Sequence, residues 1–385
     1  MDPQELLRPW FESALEAVDG VELFDIHTHT GSNDPDGYSF SSEQLEEMLE
    51  RAGARAAFFT MHEPDGYREA NDRVLREAAE ANGRLVPFCR VNPHDDAPGE
   101  ARRALDAGAR GIKLHPRAEG FTLDHPAAAE LFAISEERGV PIIIHAGRGI
   151  PALGKHVVEH LGRHPGARAI LAHAGICDLA WIWRAAERHP NLFFDTAWWN
   201  PADLIAMFRL VPPGQLLYGS DAPYGRPLIS VPLAMRCALQ AGLSDEQIRG
   251  IMGGQAVRLL GGAELLDLGR PPGGGPLEVD VLLERVASYL VYAVGPAFAG
   301  IGQITEEAVA LARLSCDVTE GAPQAPVCRS VLALLEELDR IGGPREAKRG
   351  RPHVAFIILA LCLARTPAAP LPPDPEPVDV SERVS

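Results

Sequence analysis

The chain has few cysteines and no long hydrophobic run. Its six cysteines are scattered without a Cys-x-x-Cys pair, so no disulfide framework is indicated, and we expect a reducing, cytoplasmic environment. The longest apolar run, residues 354–364, is well short of the ~20 residues that cross a bilayer. Residues 1–20 carry acidic side chains where a signal peptide would carry bases. We therefore expect no membrane segment.

Basic residues are also in short supply. Lys and Arg number 36 against 53 Asp and Glu, and the formal net charge is −17. Nucleic acids and anionic membranes are bound through basic surfaces, so we expect neither as a partner. The expected partner is a small-molecule substrate. Whether the chain also assembles into a homo-oligomer is left open by the sequence. The apolar fraction of 46% in 385 residues is enough for one large domain and a smaller one.

Eight short apolar or β-branched segments alternate with segments of helical periodicity. The predicted strands are residues 21–26, 54–60, 84–90, 109–115, 140–145, 168–173, 191–195 and 215–220. The predicted helices between them are residues 42–52, 68–81, 98–107, 126–138, 151–163, 179–188 and 201–209. Strands recur at the spacing of βα units, and eight such units close into a (β/α)₈ TIM barrel. An open doubly wound sheet is the alternative.

Polar side chains follow the predicted strands, where a barrel places its chemistry. They are His27, His29, His62, Glu63, Arg90, Asn92, Lys113, His115, His145, His173, Asp195, Thr196, Ser220 and Asp221. His27 and His29 are two residues apart on a strand and therefore point to the same side. Their buried ring nitrogens need partners, which either a divalent metal or polar neighbours could supply.

Five motifs at these strand ends carry a resemblance to a known family. They are Asp25-Ile26-His27-Thr28-His29, Gly111-Ile112-Lys113-Leu114-His115-Pro116, Ile144-His145-Ala146-Gly147, Leu171-Ala172-His173-Ala174-Gly175 and Tyr218-Gly219-Ser220-Asp221-Ala222-Pro223. In this order they resemble the amidohydrolase superfamily. Within it, the chain is most similar to the amidohydrolase 2 branch, metal-dependent TIM-barrel hydrolases and decarboxylases related to aminocarboxymuconate-semialdehyde decarboxylase. The resemblance covers residues 23–260.

The resemblance implies a metal centre with four protein ligands. His27 and His29 would come from the first strand, His145 from the fifth and Asp221 from the eighth, and His173 would be an acid/base or electrophilic residue beside them. Three neutral imidazoles, a carboxylate and a water form a zinc site with an open position for catalysis. We expect one zinc ion per chain, with another divalent metal as the alternative.

Two positions bear on which member of the family the chain resembles. Decarboxylases of this branch usually carry a proline two positions after the first histidine pair, whereas Gly31 stands there in this chain, which weakens the decarboxylase alternative. Lys113 occupies the position where binuclear members carry a carbamylated lysine that bridges two metals. We favour instead a lysine held in the barrel by an Asp or Glu.

Three arginines and a tryptophan after strand ends are candidate substrate-binding residues. Arg90, Arg117 and Arg148 could bind a substrate carboxylate through forked hydrogen bonds, although each could equally form a structural salt bridge. Trp198 could line an apolar pocket, although plain packing is as common for this residue type.

The composition changes near residue 266. We assign residues 1–265 to the barrel, 266–276 to a Gly/Pro linker, 277–365 to a small all-α accessory domain and 366–385 to a disordered Pro-rich tail. Helices of the accessory domain are predicted at residues 277–294, 305–316, 327–341 and 352–365. The run 354–364 is apolar on all sides and must be buried.

The resemblance and the strand-end residues together imply a metal-dependent hydrolase. A water acidified by the metal would lose its proton to Asp221 and attack an amide, lactone or ester carbonyl, while His173 and the metal polarise the carbonyl oxygen. The first alternative is non-oxidative decarboxylation of an aromatic or unsaturated acid on the same site. The second is a catalytically idle barrel that serves as a binding or scaffold protein.

Overall fold

The structure, a computed structural model, describes residues 3–346 and 353–372. The chain forms two compact units, one of Val18–Glu278 and one that combines Met1–Ala17 with Val279–Ser385. Residues 3–17, which we had assigned to the barrel, thus belong with the C-terminal helices. The indole Nε1 of Trp10 donates to Oγ of Ser330 at 3.0 Å, a contact between residues too distant in the chain for local patterns to predict.

The larger unit contains nine parallel strand segments. They are β1 (Leu23–Thr30), β2 (Ala54–Thr60), β3 (Leu85–Pro87), β4 (Cys89–Arg90), β5 (Ile112–Leu114), β6 (Pro141–Ile144), β7 (Arg168–Leu171), β8 (Leu192–Asp195) and β9 (Leu216–Leu217). Strands β1 to β3 form one sheet and β4 to β9 form another, each strand pairing with the next in the chain.

Backbone hydrogen bonds join these two sheets into a ring at both seams. β3 and β4 are the two halves of the third predicted strand, interrupted at Phe88, whose amide donates to the Phe58 carbonyl at 2.9 Å. At the other seam, the amide of Ile26 donates to the Tyr218 carbonyl at 2.9 Å. The predicted (β/α)₈ barrel is therefore confirmed, and an open doubly wound sheet does not describe the fold.

Helices follow the strands around this ring. They are α2 (Ser42–Ala52), α3 (Arg68–Glu80), α4 (Ala97–Asp106), α5 (Pro116–Glu119), α6 (Pro126–Arg138), α7 (Leu153–Arg163), α8 (Leu179–Ala186), α9 (Pro201–Leu210), α10 (Pro227–Ala241), α11 (Asp245–Arg249) and α12 (Gln255–Gly261). A proline lies in the first turn of α4, α6 and α9, where the missing N–H removes no helical hydrogen bond.

The barrel interior is filled by apolar side chains from most of the strands. Phe24, Phe59, Ile143, Ile170 and Phe193 are fully or almost fully buried in one cluster. Because this cluster fills the interior below the strand ends, the polar residues that follow the strands surround the mouth of the barrel.

The segment predicted as a linker belongs to the barrel unit, which extends to Glu278. Nε of Arg209 donates to the Gly273 carbonyl at 3.0 Å, and Nε2 of Gln247 donates to the Leu268 carbonyl at 2.9 Å. A Gly/Pro-rich composition suggested a solvated tether, but the free carbonyls of such a segment are also good acceptors for neighbouring side chains.

The smaller unit is helical. Its helices are α1 (Arg8–Glu16), α13 (Val281–Ala299), α14 (Gly302–Ser315), α15 (Ala325–Arg340) and α16 (His353–Arg365). The side chains of α16 are buried almost throughout, as its continuous apolar sequence requires. Within the predicted tail 366–385, Thr366 and Ala369 are buried, whereas the part from residue 373 onward lies outside the described residues.

Among the described helices, α13 alone is long and apolar enough to cross a bilayer, judged by length and composition only. One side of α13, which includes Leu283, Leu290 and Val294, is buried, and the helix packs against α14 and α16. A core helix of a helical bundle satisfies the same criteria. The expected absence of a membrane segment therefore stays a prediction.

Candidate metal centre

Three of the four predicted ligands converge at the mouth of the barrel. Nε2 of His29 lies 3.2 Å from Nε2 of His27 and 3.1 Å from Oδ1 of Asp221, and Nε2 of His27 lies 3.2 Å from the same oxygen. One ligand atom from each side chain thus lies within 4.8 Å of the other two. Two imidazole nitrogens and a carboxylate oxygen at one point suit a divalent metal such as zinc.

A register shift in β1 directs both histidines inward. Pairing of β1 with β2 changes register between Asp25 and Thr28. Phe24, before the shift, and Ile26, within it, belong to the interior cluster. His27, within the shift, and His29, after it, contribute to the candidate metal centre. A β-bulge changes which alternate residues share a face of the strand. The sequence showed the pair but contained no signal for the bulge.

Asp25 and Asp221 position the ligand-bearing segments relative to one another. Oδ1 of Asp25, which is fully buried, accepts the amides of His27 at 3.1 Å and Ser220 at 2.9 Å. The amide of Asp221 donates to the His27 carbonyl at 2.9 Å, and Asp221 has a φ of 62°. This left-handed turn, which Asp tolerates better than most residues, brings its carboxylate back toward β1.

Asp195 determines which nitrogen of His27 carries the proton. Nδ1 of His27 lies 2.7 Å from Oδ2 of Asp195, and Oδ1 of Asp195 accepts the amides of His173 at 2.7 Å and Ala197 at 3.0 Å. A carboxylate accepts the Nδ1–H, so the lone pair of His27 is on Nε2, toward the metal centre. The sequence showed Asp195 only as one of the polar residues at strand ends. Its position at the end of the seventh predicted strand was the signal that it could contribute to the site.

His145, the fourth predicted ligand, is hydrogen-bonded to His173 in this structure. Nε2 of His173 lies 2.8 Å from Nδ1 of His145, and Nδ1 of His173 lies 2.8 Å from the Ala197 carbonyl. Because a carbonyl only accepts, His173 donates from Nδ1 and accepts from His145. Nε2 of His145 then has a lone pair, and it is buried with no hydrogen-bond partner among the described residues. Metal binding by His145 stays a prediction.

Burial sets the charge of the ligands. It lowers the pKa of His27, His29 and His145 well below the ordinary value, so these rings are neutral, as metal binding requires. It also raises the pKa of Asp221 well above the ordinary value. A divalent cation at this point would oppose the shift of Asp221, because its positive charge favours the carboxylate.

Lys113 lies beside the ligands and is fully buried. Its Nζ is 3.2 Å from Nε2 of His27 and 4.7 Å from the centre of the Phe59 ring. Burial lowers the pKa of Lys113 to about 7. We expected an Asp or Glu to hold this lysine, but within the described part of the chain its closest polar contact is His27. A role as a bridge between two metals stays the alternative that we did not favour.

Arg90 forms a buried salt bridge. Its side chain is 2% exposed, and Nη2 lies 2.5 Å from Oε1 of Glu119. The same oxygen accepts the Tyr67 hydroxyl at 2.5 Å, and the Arg90 guanidinium lies 5.1 Å from the centre of the Tyr67 ring. Of the two interpretations of Arg90, these contacts favour the structural one over substrate binding.

The other predicted substrate residues lie at two places around the mouth. The Arg148 guanidinium lies 5.7 Å from the centre of the Trp198 ring, and Trp198 lies edge to face with His173 at 6.4 Å. Nε1 of Trp198 donates to Asp203 at 2.6 Å, which holds the indole in place. Arg117 instead lines a separate cavity with His94 and His125.

Sequence patterns missed two tyrosines near His29. Tyr224 lies edge to face with His29 at a ring distance of 5.5 Å and with Tyr38 at 4.9 Å. Its hydroxyl donates to Asp34. Tyr38 and Asp34 belong to the loop after β1 and Tyr224 to the loop after β9, where no regular spacing indicates a functional position.

Comparison with known proteins identifies one family. The family model Amidohydro_2, described as Amidohydrolase, matches residues 24–262. This match confirms the resemblance seen in the five strand-end motifs. Among curated proteins, none matches the chain.

Solved structures similar to this chain include enzymes of more than one activity. An uncharacterised TIM-barrel protein from Bordetella bronchiseptica is 18% identical, with 63% of this chain and 99% of that chain covered and a TM-score of 0.49. A 2,6-dihydroxybenzoate decarboxylase from Rhizobium is 16% identical (63% and 98% covered, TM-score 0.48). A 5-carboxyvanillate decarboxylase from Novosphingobium aromaticivorans, complexed with manganese and a nitrobenzoic acid, is 14% identical (63% and 96% covered, TM-score 0.47).

Proposed function

We propose that this chain, which belongs to the amidohydrolase family over residues 24–262, is a zinc-dependent hydrolase of an amide, lactone or ester in a small acidic molecule. The observation that carries the proposal is the convergence of His27 Nε2, His29 Nε2 and Asp221 Oδ1, with the lone pair of His27 directed there by Asp195. We also propose a cytoplasmic location, which the six free cysteines support.

The protein side chains have distinct tasks in this proposal. A bound divalent ion supplies a Lewis acid and acidifies water. Asp221 accepts a proton from the attacking water, because its Oδ1 faces the two imidazoles and its side chain is 21% exposed. His173, fixed through Nδ1 by the Ala197 carbonyl, accepts a hydrogen bond from His145 at Nε2 and orients that ring. The role in polarising the substrate carbonyl that the resemblance implies would require a proton on Nε2 of His173 in place of this hydrogen bond.

Aromatic side chains on two sides of the ligands suit a planar or apolar acyl group. Trp198 lies near His173, and Tyr224 lies near His29. The Arg148 guanidinium over Trp198 adds a cation near this wall, where it could hold an acidic substituent.

The same aromatic walls also favour the second candidate, non-oxidative decarboxylation of an aromatic or unsaturated acid. In that reaction Arg148 would hold the acid against Trp198, and Asp221 or His173 would deliver the proton that replaces the lost carboxyl group. An idle barrel has no support from the side chains at the mouth, because the ligand atoms converge and their protonation is set by buried partners.

Metal analysis combined with a substrate screen tests the proposal. Purified protein is expected to hold one zinc per chain and to hydrolyse members of a panel of lactones, esters and amides, with ¹⁸O from labelled water entering the product. Release of carbon dioxide from aryl carboxylates without ¹⁸O uptake would establish the second candidate instead. The His27→Ala/His29→Ala double variant should lose metal and activity while its circular dichroism is retained, and full metal occupancy in this variant would contradict the ligand assignment.

A further inference from the structure

A cavity opens on the same end of the barrel as the candidate metal centre. It has a volume of about 640 Å³, and the loops after β4, β5 and β6 each contribute to its lining. The residues that matter here are His94, Arg117, Asp124 and His125. None of these four belongs to the candidate metal centre.

Arg117 presents an unpaired cation to this cavity. It is exposed, and no hydrogen bond or ion pair engages its guanidinium among the residues that the structure describes. In the same protein, Arg90 and Arg103 are held by carboxylates. A guanidinium that lines a cavity without a carboxylate partner keeps its forked donors available for an oxyanion.

Two imidazoles add further donors. Nδ1 of His125 accepts the amide of Ala127 at 3.3 Å, so the ring proton is on Nε2 and can be donated to a ligand. The ring of His94 lies edge to face with that of His125 at 5.5 Å. Helix α6 begins at the next residue, Pro126, and the positive end of its dipole therefore lies at the cavity wall.

One carboxylate opposes these groups. Asp124 is exposed and accepts the hydroxyl of Thr122, and that hydrogen bond lowers its pKa, so it is charged at neutral pH. It makes the affinity for an anion lower than Arg117, His94 and His125 alone would give. Removing the charge of Asp124 should therefore change the affinity for an anion in the direction opposite to removing the charge of Arg117.

The cavity adjoins the candidate catalytic residues through two of its loops. Arg117 follows His115 by two residues, and the His115 ring stacks on His145 at 3.9 Å. The lining residues Gly149 to Pro151 follow His145 in the chain. His115 and His145 thus link the loops of the cavity to the candidate catalytic residues, while His27, His29 and Asp221 do not line the cavity.

We propose that this cavity is an oxyanion subsite, in which Arg117, His94 and His125 bind a carboxylate or phosphate group that the substrate carries away from its reacting carbonyl. This assignment rests on the proposed hydrolase function for its role in catalysis, but not for its ability to bind an anion. The substrate would then carry the reacting carbonyl at one end and an anionic group at the other.

Titration of the metal-loaded full-length protein with inorganic phosphate and with succinate tests the binding. The imidazole NMR signals of His94 and His125, assigned with the His94→Gln and His125→Gln variants, should shift and saturate with both probes. Arg117→Ala should weaken this binding by about tenfold or more, as expected for a charge-assisted interaction, and Asp124→Asn should tighten it. The matched control is Arg102→Ala, which removes an exposed arginine that pairs with Glu137 and should leave the titration unchanged.

The two proposals fail in different ways. Absence of phosphate- and succinate-dependent shifts at His94 and His125, or equal affinities in Arg117→Ala and Arg102→Ala, would overturn the subsite even if the enzyme hydrolyses its substrates. Given an acidic substrate, Arg117→Ala should raise KM with little change in kcat, and should leave neutral analogues unaffected. Saturable binding of the anions in a protein without hydrolase activity would support the subsite while contradicting the proposed function.

Discussion

The Nδ1 atom of His27 and the Oδ2 atom of Asp195 lie 2.7 Å apart, with side chains that are 1% and 0% exposed. This buried hydrogen bond leaves the lone pair of His27 on Nε2, the atom that faces His29 and Asp221. An acidic partner of this kind also raises the basicity of a ligating imidazole. The candidate metal centre therefore depends on a residue that is not itself a candidate ligand.

The first prediction concerns this partner. In Asp195→Asn, the amide group can face Nδ1 of His27 and favour the tautomer that places the proton on Nε2, where it blocks metal binding. We expect metal affinity to fall by about 10–100-fold, the usual cost of losing such a partner, as measured by competition with a chelator. Asp106→Asn, which alters an exposed ion pair with Arg138, is the control. Equal affinities in the two variants would contradict the assigned role of Asp195.

The second prediction concerns proton transfer by Asp221. Asn is tolerated at its positive φ of 62° and retains one oxygen, so Asp221→Asn should fold and keep its metal. It lacks the basicity of the carboxylate, and kcat should fall by about 10²–10⁴-fold with KM little changed. Steady-state kinetics of the metal-loaded variant measure both constants. Wild-type kcat would mean that Asp221 only shapes the turn and that His173 or Glu63 accepts the proton.

A third prediction separates structural from substrate-binding arginines. Arg90→Ala leaves Glu119 as a buried, unpaired carboxylate, and breaking such a pair costs about 3–5 kcal/mol. Denaturant unfolding should show this loss. Arg148→Ala, whose side chain is exposed, should unfold like the wild type but have altered kinetics. A stable Arg90→Ala protein with a raised KM would restore the substrate-binding interpretation.

A fourth prediction links stability to pH through His160. Burial lowers the pKa of His160, whose Nε2 donates to the Leu123 carbonyl at 2.7 Å and whose ring stacks on Phe132 at 4.6 Å. The unfolded chain takes up this proton near pH ~6.5, whereas the folded chain does so only at lower pH. Stability from the neutral ring is thus present above pH ~6.5 and is lost as the pH falls from there to the folded pKa.

The variant His160→Gln tests this relationship, because Gln can still donate to Leu123 but does not titrate. Its free energy of unfolding should fall less than that of the wild type when the pH is lowered from about 7.5 to 5. A parallel pH dependence in the wild type and His160→Gln would show that the ring contributes nothing to acid sensitivity.

A fifth prediction concerns domain independence. The compact barrel unit is Val18–Glu278, so a fragment of residues 18–278 should fold and bind metal. A fragment of residues 18–269 lacks the carbonyls of Gly273 and Gly275 that Arg209 binds, and it should unfold at a lower temperature. Thermal unfolding with metal analysis compares the two fragments. An insoluble 18–278 fragment would show that the barrel requires the helical unit.

The sequence by itself determined the strand and helix elements and showed the residues of the candidate metal centre. Strand segments separated by helical periods predicted the barrel, and the family resemblance of the strand-end motifs implied His27, His29 and Asp221 as ligands, whose side chains converge. These features are local, since β and α spacing and the polar residues after each strand follow from neighbouring residues alone. The residue types that could bind a metal could therefore be identified from the sequence, whereas their relative positions could not.

Only the tertiary structure decided which distant residues meet. The bulge in β1, the hydrogen bond from His27 to Asp195 and the pairing of Arg90 with Glu119 all depend on contacts between strands and loops. The same holds for α1, which belongs to the C-terminal helical unit and not to the barrel that follows it in the chain. Such contacts form because packing brings together residues that no sequence spacing relates, and burial then sets the protonation on which the proposed chemistry depends.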